Sequence, residues 1–260
     1  MHLLETQAPS SRVSNVLWSI ALITLCLAVL TGCGEKKSAK VKVPLPPTIE
    51  PESGSNAERP AGKKPSAAIG GYDIPKDAKP IWVETGLASW YGPPYHNRRG
   101  ANGEIFDTNQ LTAAHRTLPL NSIARITNVK TGNSTTVRIT DRGPFIEGRV
   151  LDLSLAAAKE VDVWRAGVAK VKIEVMRAPS PIDDGGRWCV QIGAFTDKKE
   201  ATKLKEKLMR KYHTAQVLQF TGPTGDWVRV RPLNDDKSRA EELARDTKAS
   251  EGAVFLVRLD

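Results

Sequence analysis

Two styles of hydrophobic patterning divide the chain. Near the N-terminus, Val13 to Leu30 is one apolar run broken only by small polar residues, with Arg12 just ahead of it. From about residue 81 the pattern becomes short and alternating. Ile123-Ala124-Arg125-Ile126-Thr127-Asn128-Val129 precedes a turn cluster, Lys130 to Ser134, and Thr135 to Thr140 alternates again, which predicts a hairpin. Val168 to Val175 alternates over a further strand, and Ser154 is placed to cap a short helix, Leu155 to Glu160. Many short strands with one short helix predict a small β-barrel. Pro179 to Gly186 has turn and linker chemistry. Beyond it, Trp188 to Ala194 reads as a strand and Lys198 to Lys211 as an amphipathic helix with Ala201, Leu204 and Leu208 on one face. Strands over Thr214–Phe220 and Asp226–Arg231, a helix over Ser238–Lys248 and a strand over Ala253–Leu259 complete a βαββαβ order. That order is the ferredoxin-like split arrangement.

The N-terminal run has the layout of a secretory signal: a positive charge, an apolar stretch, then small residues. A transmembrane anchor is the alternative, since a spanning helix needs about 18–20 residues. Leu30-Thr31-Gly32-Cys33 resembles the bacterial lipobox, which makes Cys33 the lipidated N-terminus of the processed chain. Two or three acyl chains, at ~0.8 kcal/mol per buried CH2, hold a protein on a membrane where one alone does not. The resemblance to such lipoproteins implies an outer-membrane address, facing the periplasm, because Gly34 follows the Cys rather than the Asp that favours inner-membrane retention. Residues 34 to about 80 are rich in Pro, Lys, Ser, Ala and Gly and nearly free of aromatics. Such a segment cannot bury enough surface to offset its ordering entropy and reads as a flexible tether.

Cysteine usage narrows the chemistry. Of three cysteines, Cys26 leaves with the signal and Cys33 takes lipid, so Cys189 alone remains in a folded region. That excludes an intramolecular disulfide and a multi-thiolate metal site. Cys189 lies in an alternating apolar run and reads as a small buried hydrophobe. The formal net charge of +9 is spread over tether and folded regions alike, which suits anionic envelope polymers or lipid headgroups better than nucleic acid. The βαββαβ order fits an RNA-recognition fold, but the paired aromatics that stack bases on its middle strands are absent.

Several motifs carry a resemblance. Gly86-Leu87-Ala88-Ser89-Trp90-Tyr91-Gly92, Asn102-Gly103-Glu104-Ile105-Phe106-Asp107, Leu111 to Pro119, Asp141-Arg142-Gly143-Pro144-Phe145 and Leu151-Asp152-Leu153-Ser154 resemble the rare lipoprotein A family of septal lytic transglycosylases. The resemblance implies a double-psi β-barrel of the barwin and expansin kind. The tail, through Val190 to Phe195 and Trp227-Val228-Arg229-Val230, resembles the SPOR domain, which binds glycan strands stripped of stem peptides. The expected organisation is a signal over 1–32, a tether over 33–80, a barrel over 81–178, a linker over 179–186 and a SPOR domain over 187–260. The fold class is thus mainly β followed by α+β. One departure stands out: the family often carries Thr or Ser where this chain has Gly100.

The reaction implied cleaves the β-1,4 bond between N-acetylmuramic acid and N-acetylglucosamine without water and leaves a 1,6-anhydro end. One carboxyl group can act first as acid and then as base, provided that burial or a neighbouring carboxylate keeps it protonated near neutral pH. Asp141 takes that role by resemblance. Its position at a strand end, before Arg-Gly-Pro, equally fits an Asx-turn residue. Glu104 and His115 carry over as further residues important for activity. Glu104 would raise the pKa of Asp141 or orient sugar, and His115 would hold a carboxylate or a sugar hydroxyl. Their bland alternatives are a solvated loop charge and a satisfied half-buried histidine. Asp152 would line the groove or support the Ser154 helix; Trp90 and Tyr91 would stack sugars or fill the core. Arg142 would neutralise a lactyl carboxylate or pair within the barrel. In the tail, Gln191, Trp227 and Arg229 are the expected glycan contacts, by analogy with other members.

No metal or cofactor is implied, and no protein partner is identified. The expected partners are denuded peptidoglycan strands and, through the lipid, the membrane, with enrichment at the division septum. Two other functions compete: a non-catalytic, expansin-like wall-loosening protein, and a structural tether with an inert barrel.

Overall fold

The computed structural model of the chain describes residues 74–75, 77–92 and 95–260. The signal, the lipidation residue Cys33 and nearly all of the tether lie outside the described residues.

Six strands close into a barrel in the order β1-β5-β2-β4-β3-β6. They are β1 (Trp82–Trp90), β2 (Thr112–His115), β3 (Ile123–Asn128), β4 (Ser134–Asp141), β5 (Arg149–Leu153) and β6 (Ala169–Arg177). β3 and β4 form the hairpin that the alternation predicts, pairing antiparallel from Ile123 opposite Arg138 to Thr127 opposite Ser134. Two parallel pairs, β1 with β5 and β2 with β4, set this barrel apart from a simple meander. In β6, Val171, Ile173 and Val175 point inward while Lys170 and Lys172 face out, so one face joins the core. β2 shows no such alternation because all four of its residues are buried. The short helix α1 (Leu155–Glu160) starts where expected: Ser154 Oγ accepts the Ala157 N–H at 3.2 Å. A second helix, α2 (Val163–Ala166), follows and was not foreshadowed by the patterning.

The register shift between Ala113 and Ala114 matters for the site. It leaves Ala114 opposite Asp141, the last residue of β4, where the strand turns out of the barrel. Bulges commonly re-aim side chains at barrel rims.

The tail is a four-stranded antiparallel sheet ordered β10-β7-β9-β8. Its elements are β7 (Trp188–Phe195), α3 (Lys198–Lys211), β8 (Gln216–Gly222), β9 (Gly225–Arg231), α4 (Lys237–Asp246) and β10 (Ala253–Arg258), with a 3-10 turn at Leu233–Asp235. The helices cover one face, over Val190, Ile192, Val228 and Val230. Asp197 and Asp236 cap α3 and α4, accepting N–H groups of Lys199 and Arg239.

The other face of the sheet carries Cys189, Trp227, Phe255 and Val257, all buried. What covers them comes partly from the barrel: the Phe145 ring lies 5.5 Å from that of Trp227 and 5.7 Å from that of Phe255. Main-chain bonds join the same regions, Arg258 N–H to Arg116 O at 3.0 Å and Leu120 N–H to Asp260 O at 3.2 Å. Cys189 is a free, buried thiol whose pKa burial pushes up to about 11.

Candidate active site

A small open pocket on the barrel is lined by Gly100, Asn102, Glu104, Phe106, Thr140 and Asp141, among others. Its rim is a tight loop. Gly100 N–H bonds Glu104 O at 2.8 Å, Gly103 N–H bonds Gly100 O at 3.0 Å, and Asn102 Oδ1 accepts the Glu104 N–H at 3.0 Å. Gly103 sits at φ +88°, where a side chain is strained, which explains a glycine at this point of the turn. Asn102 N–H bonds Thr140 O at 3.1 Å and so fastens the loop to the end of β4.

Asp141 stands at that junction. Its Oδ1 accepts the Ala101 N–H at 3.0 Å and its own neighbour's N–H, from Arg142, at 2.8 Å. Burial raises its pKa, and the two backbone bonds only partly offset this. A carboxyl group so placed holds its proton further toward neutral pH than a solvated one.

Glu104 is a different kind of carboxylate. Arg138 grips it with both terminal nitrogens, and this hydrogen bonding holds its pKa below the usual range. Arg138 also donates to Asn121 Oδ1 at 2.9 Å, which ties Glu104 to the loop before β3. Glu104 is not among the groups that raise Asp141, so the like-charge role expected from the sequence is taken instead by burial. The two carboxyl groups line one pocket with opposite tendencies, one toward the acid form and one toward the anion.

His115 does not line this pocket. It is 4% exposed, and its Nε2 lies 3.0 Å from Glu84 Oε2. Its Nδ1 accepts the N–H groups of Thr117 at 3.2 Å and Leu118 at 3.0 Å. Burial lowers its pKa, against the opposing pull of Glu84. The histidine thus holds a carboxylate and a turn.

Asp152 is held by Ser89, whose hydroxyl donates to Oδ1 at 2.7 Å, and lies 3.5 Å from Arg149 Nη2. Burial raises its pKa as well. Trp90 packs against the barrel core, and its indole N–H bonds Trp164 O at 3.2 Å. Tyr91 stacks on Phe106 with centroids 4.3 Å apart, and so lies against a pocket-lining ring. Burial, then the charges of Asp141 and Asp152, push its phenol up.

Arg142 pairs within the barrel on one side, donating to His115 O at 3.0 Å and Leu118 O at 2.7 Å, and reaches Asp260 O in the tail at 2.6 Å. In the tail sheet, Gln191 is 2% exposed and its side-chain oxygen accepts from Arg229 at 2.7 Å. The Arg229 guanidinium also lies 5.1 Å over the Phe220 ring. Trp227 is 4% exposed under Phe145, so its ring face is already occupied. Phe220, Leu218 and Arg229 form the more open half of that face. The supporting residues Glu84, Arg138 and Arg149 carried no sequence signal beyond being polar positions in or beside barrel strands, and Ser89, although inside a quoted motif, was not singled out. Among the described residues there is no cluster of three or more His, Cys, Asp or Glu side chains fit to hold a metal.

Comparison with known proteins agrees with this architecture. Residues 83–173 match the family model described as lytic transglycolase, and residues 184–256 match that of the SPOR domain. The endolytic peptidoglycan transglycosylase RlpA of Vibrio cholerae serotype O1 is 49% identical over 192 residues, covering 71% of this chain and 72% of that one. The protein of the same name from Campylobacter jejuni is 36% identical over 200 residues, 66% of this chain and 71% of that one. The barrel is accordingly the double-psi barrel of that family, and the tail is its SPOR domain. The chain belongs to the RlpA family of endolytic peptidoglycan transglycosylases.

Proposed function

We propose that this chain is a lytic transglycosylase that cuts within glycan strands lacking stem peptides, at the bond between N-acetylmuramic acid and N-acetylglucosamine. The observation that carries this reading is the state of Asp141: a carboxyl group at a pocket wall, steadied by two backbone N–H groups and biased by burial toward its acid form. Its proton goes to the leaving oxygen as the glycosidic bond breaks and positive charge develops at C1. The resulting carboxylate then takes the proton of the muramoyl C6 hydroxyl as that oxygen bonds C1. The 1,6-anhydro ring closes, no water is consumed, and Asp141 ends protonated as it began. Glu104, kept anionic by Arg138, offers acceptor oxygens to sugar hydroxyls and negative charge to the oxocarbenium-like state. Tyr91 supplies an aromatic surface beside Phe106, and Asp152 a second buried carboxyl group held by Ser89.

Around this chemistry we place the rest of the chain. Lipid on Cys33 would hold the protein to the outer membrane, the segment to residue 80 would give reach, and the tail would select denuded strands at the septum through Arg229 and its neighbours. The test digests denuded glycan with the soluble chain from Gly34 onward and weighs the products. Anhydro-muramoyl ends that vanish in Asp141→Asn support the reading; reducing ends or no cleavage overturn it. Cys33→Ser should free the protein from membranes while leaving purified activity unchanged, and septal enrichment of a fluorescent fusion should be lost when 187–260 is deleted.

A further inference from the structure

Glu84 belongs to no motif singled out in the sequence, yet it stands at the start of a continuous hydrogen-bonded path to the acid. His115 Nδ1 receives two backbone N–H groups and therefore carries no proton of its own. The imidazole proton is then on Nε2, pointing at Glu84 Oε2 3.0 Å away. Glu84 gives that buried Nε2–H its acceptor and so shares with the two backbone N–H groups in holding the tautomer and the ring orientation, and Trp82 flanks the ring edge-on at 6.0 Å.

The turn that His115 holds is the one that braces the acid loop. Arg142 donates from that loop to His115 O and Leu118 O, at 3.0 and 2.7 Å, and its N–H bonds Asp141 Oδ1 at 2.8 Å. Bracing runs the other way too: Arg116, inside the turn, donates to Pro144 O at 2.8 Å and to Arg149 O at 2.7 Å. Turn and loop are cross-tied by two arginines, and His115 fixes the turn from within through the two N–H groups on its Nδ1.

We propose that Glu84 is a positioning residue for the acid Asp141, acting through the Nε2–H tautomer of His115, the 115–118 turn and Arg142. Neither Glu84 nor His115 touches substrate in this role. Without Glu84 the buried Nε2–H has no acceptor, and that cost weighs against the two N–H groups that keep Nδ1 bare. With the proton on Nδ1, two N–H groups of the turn face a third donor, and the carbonyls that hold Arg142 shift. A displacement of the acid on the order of 1 Å costs roughly 100-fold in rate.

The inference rests on the transglycosylase reading for its rate arm and is independent of it for its structural arm. The experiment uses the soluble chain from Gly34 with Glu84→Ala and Glu84→Gln. On denuded glycan, Glu84→Ala should lower kcat by roughly 10–100-fold with KM within about twofold of the parent. Glu84→Gln, whose amide oxygen still accepts from Nε2–H, should recover kcat to within a few fold. In parallel, nitrogen-15 spectra should show His115 as the Nε2–H tautomer in the parent and in Glu84→Gln. In Glu84→Ala that tautomer should be lost and the side-chain carboxyl resonance of Asp141 should move. An unchanged kcat in folded Glu84→Ala, an equal loss in KM, or Glu84→Gln failing like Glu84→Ala would overturn the proposal. An unmoved Asp141 resonance would do the same even if the parent cuts no glycan, in which case the functional reading falls separately. If Glu84→Ala does not fold, Glu84→Leu, which fills the space without an acceptor, takes its place with the same expected losses and the same overturning results.

Discussion

Arg138 holds Glu104 by both carboxylate oxygens, at 2.8 and 2.5 Å, and this fork fixes where the negative charge of the pocket lies. The pair is half open to solvent, so its contribution to fold stability is small. Its role is one of aim.

Removing Arg138 should therefore cost activity more than stability. Arg138→Ala should lower cleavage to within a few fold of Glu104→Ala, on the order of 10–100-fold below the parent. The double variant should be no worse than either single one, because both break the same pair. Additive losses in a rate-based double-mutant cycle would show that Glu104 works without its arginine.

Asp141→Asn should trade activity for stability. Loss of the acid should cut cleavage by roughly 100–10,000-fold. The amide oxygen can still accept the Ala101 and Arg142 N–H groups. The folded state holds the Asp141 proton more tightly than the unfolded chain, whose value lies near 3.8. Its contribution thus favours folding below that value and is lost as pH rises through the raised folded value. Above the unfolded value the unfolded chain ionises more readily than the folded one, so at neutral pH the parent carries a linkage cost that the Asn variant does not. Thermal melts should place Asp141→Asn above the parent at pH 7, with the gap closing under strongly acidic conditions.

Gly100 can be tested as the missing hydroxyl. A Cβ there would lie 3.1 Å from Thr140 O and 3.6 Å from Asn102 Oδ1, tight but not blocked. Gly100→Ser should lower the melting temperature slightly and place a hydroxyl in the Asp141 pocket. A new sugar contact of about 0.5–1.5 kcal/mol would lower KM several fold. A raised KM would show that the pocket needs the space.

In the tail, Arg229→Ala leaves the Gln191 side-chain oxygen without its donor at a site 2% exposed. The variant should lose about 1–3 kcal/mol of stability in chemical denaturation. It should also pull down less denuded glycan, while barrel activity on short soluble fragments stays near that of the parent.

How much of this was legible in the sequence follows from what each residue touches. The β3–β4 hairpin, the capped helix at Ser154 and the tail order were readable because each rests on local chemistry: alternation, a turn cluster, a cap. β2 was not, because a strand paired on both sides and buried throughout has no polar face to alternate with. Asp141 and Glu104 stand in recognisable motifs, and both line the pocket. His115 stood in one too, but its partner Glu84 lies 31 residues away in sequence, on β1. The partners Arg138 and Glu84 become visible only once β4 and β1 are set in the closed barrel. Trp227 is an expected glycan contact by analogy with other members; the barrel's Phe145 reveals that its face is taken.

That last contact has a practical side for anyone cutting the chain apart. Phe145 shields a patch made of Trp227, Phe255, Val257 and the Cys189 thiol. Parting the barrel from the tail within 179–186 would leave that patch wet, and exposed apolar patches of this kind drive self-association. Made alone, the tail is expected to be the stickier half, prone to clump and, through Cys189, to cross-link in air. The intact chain carries its own lid against that fate.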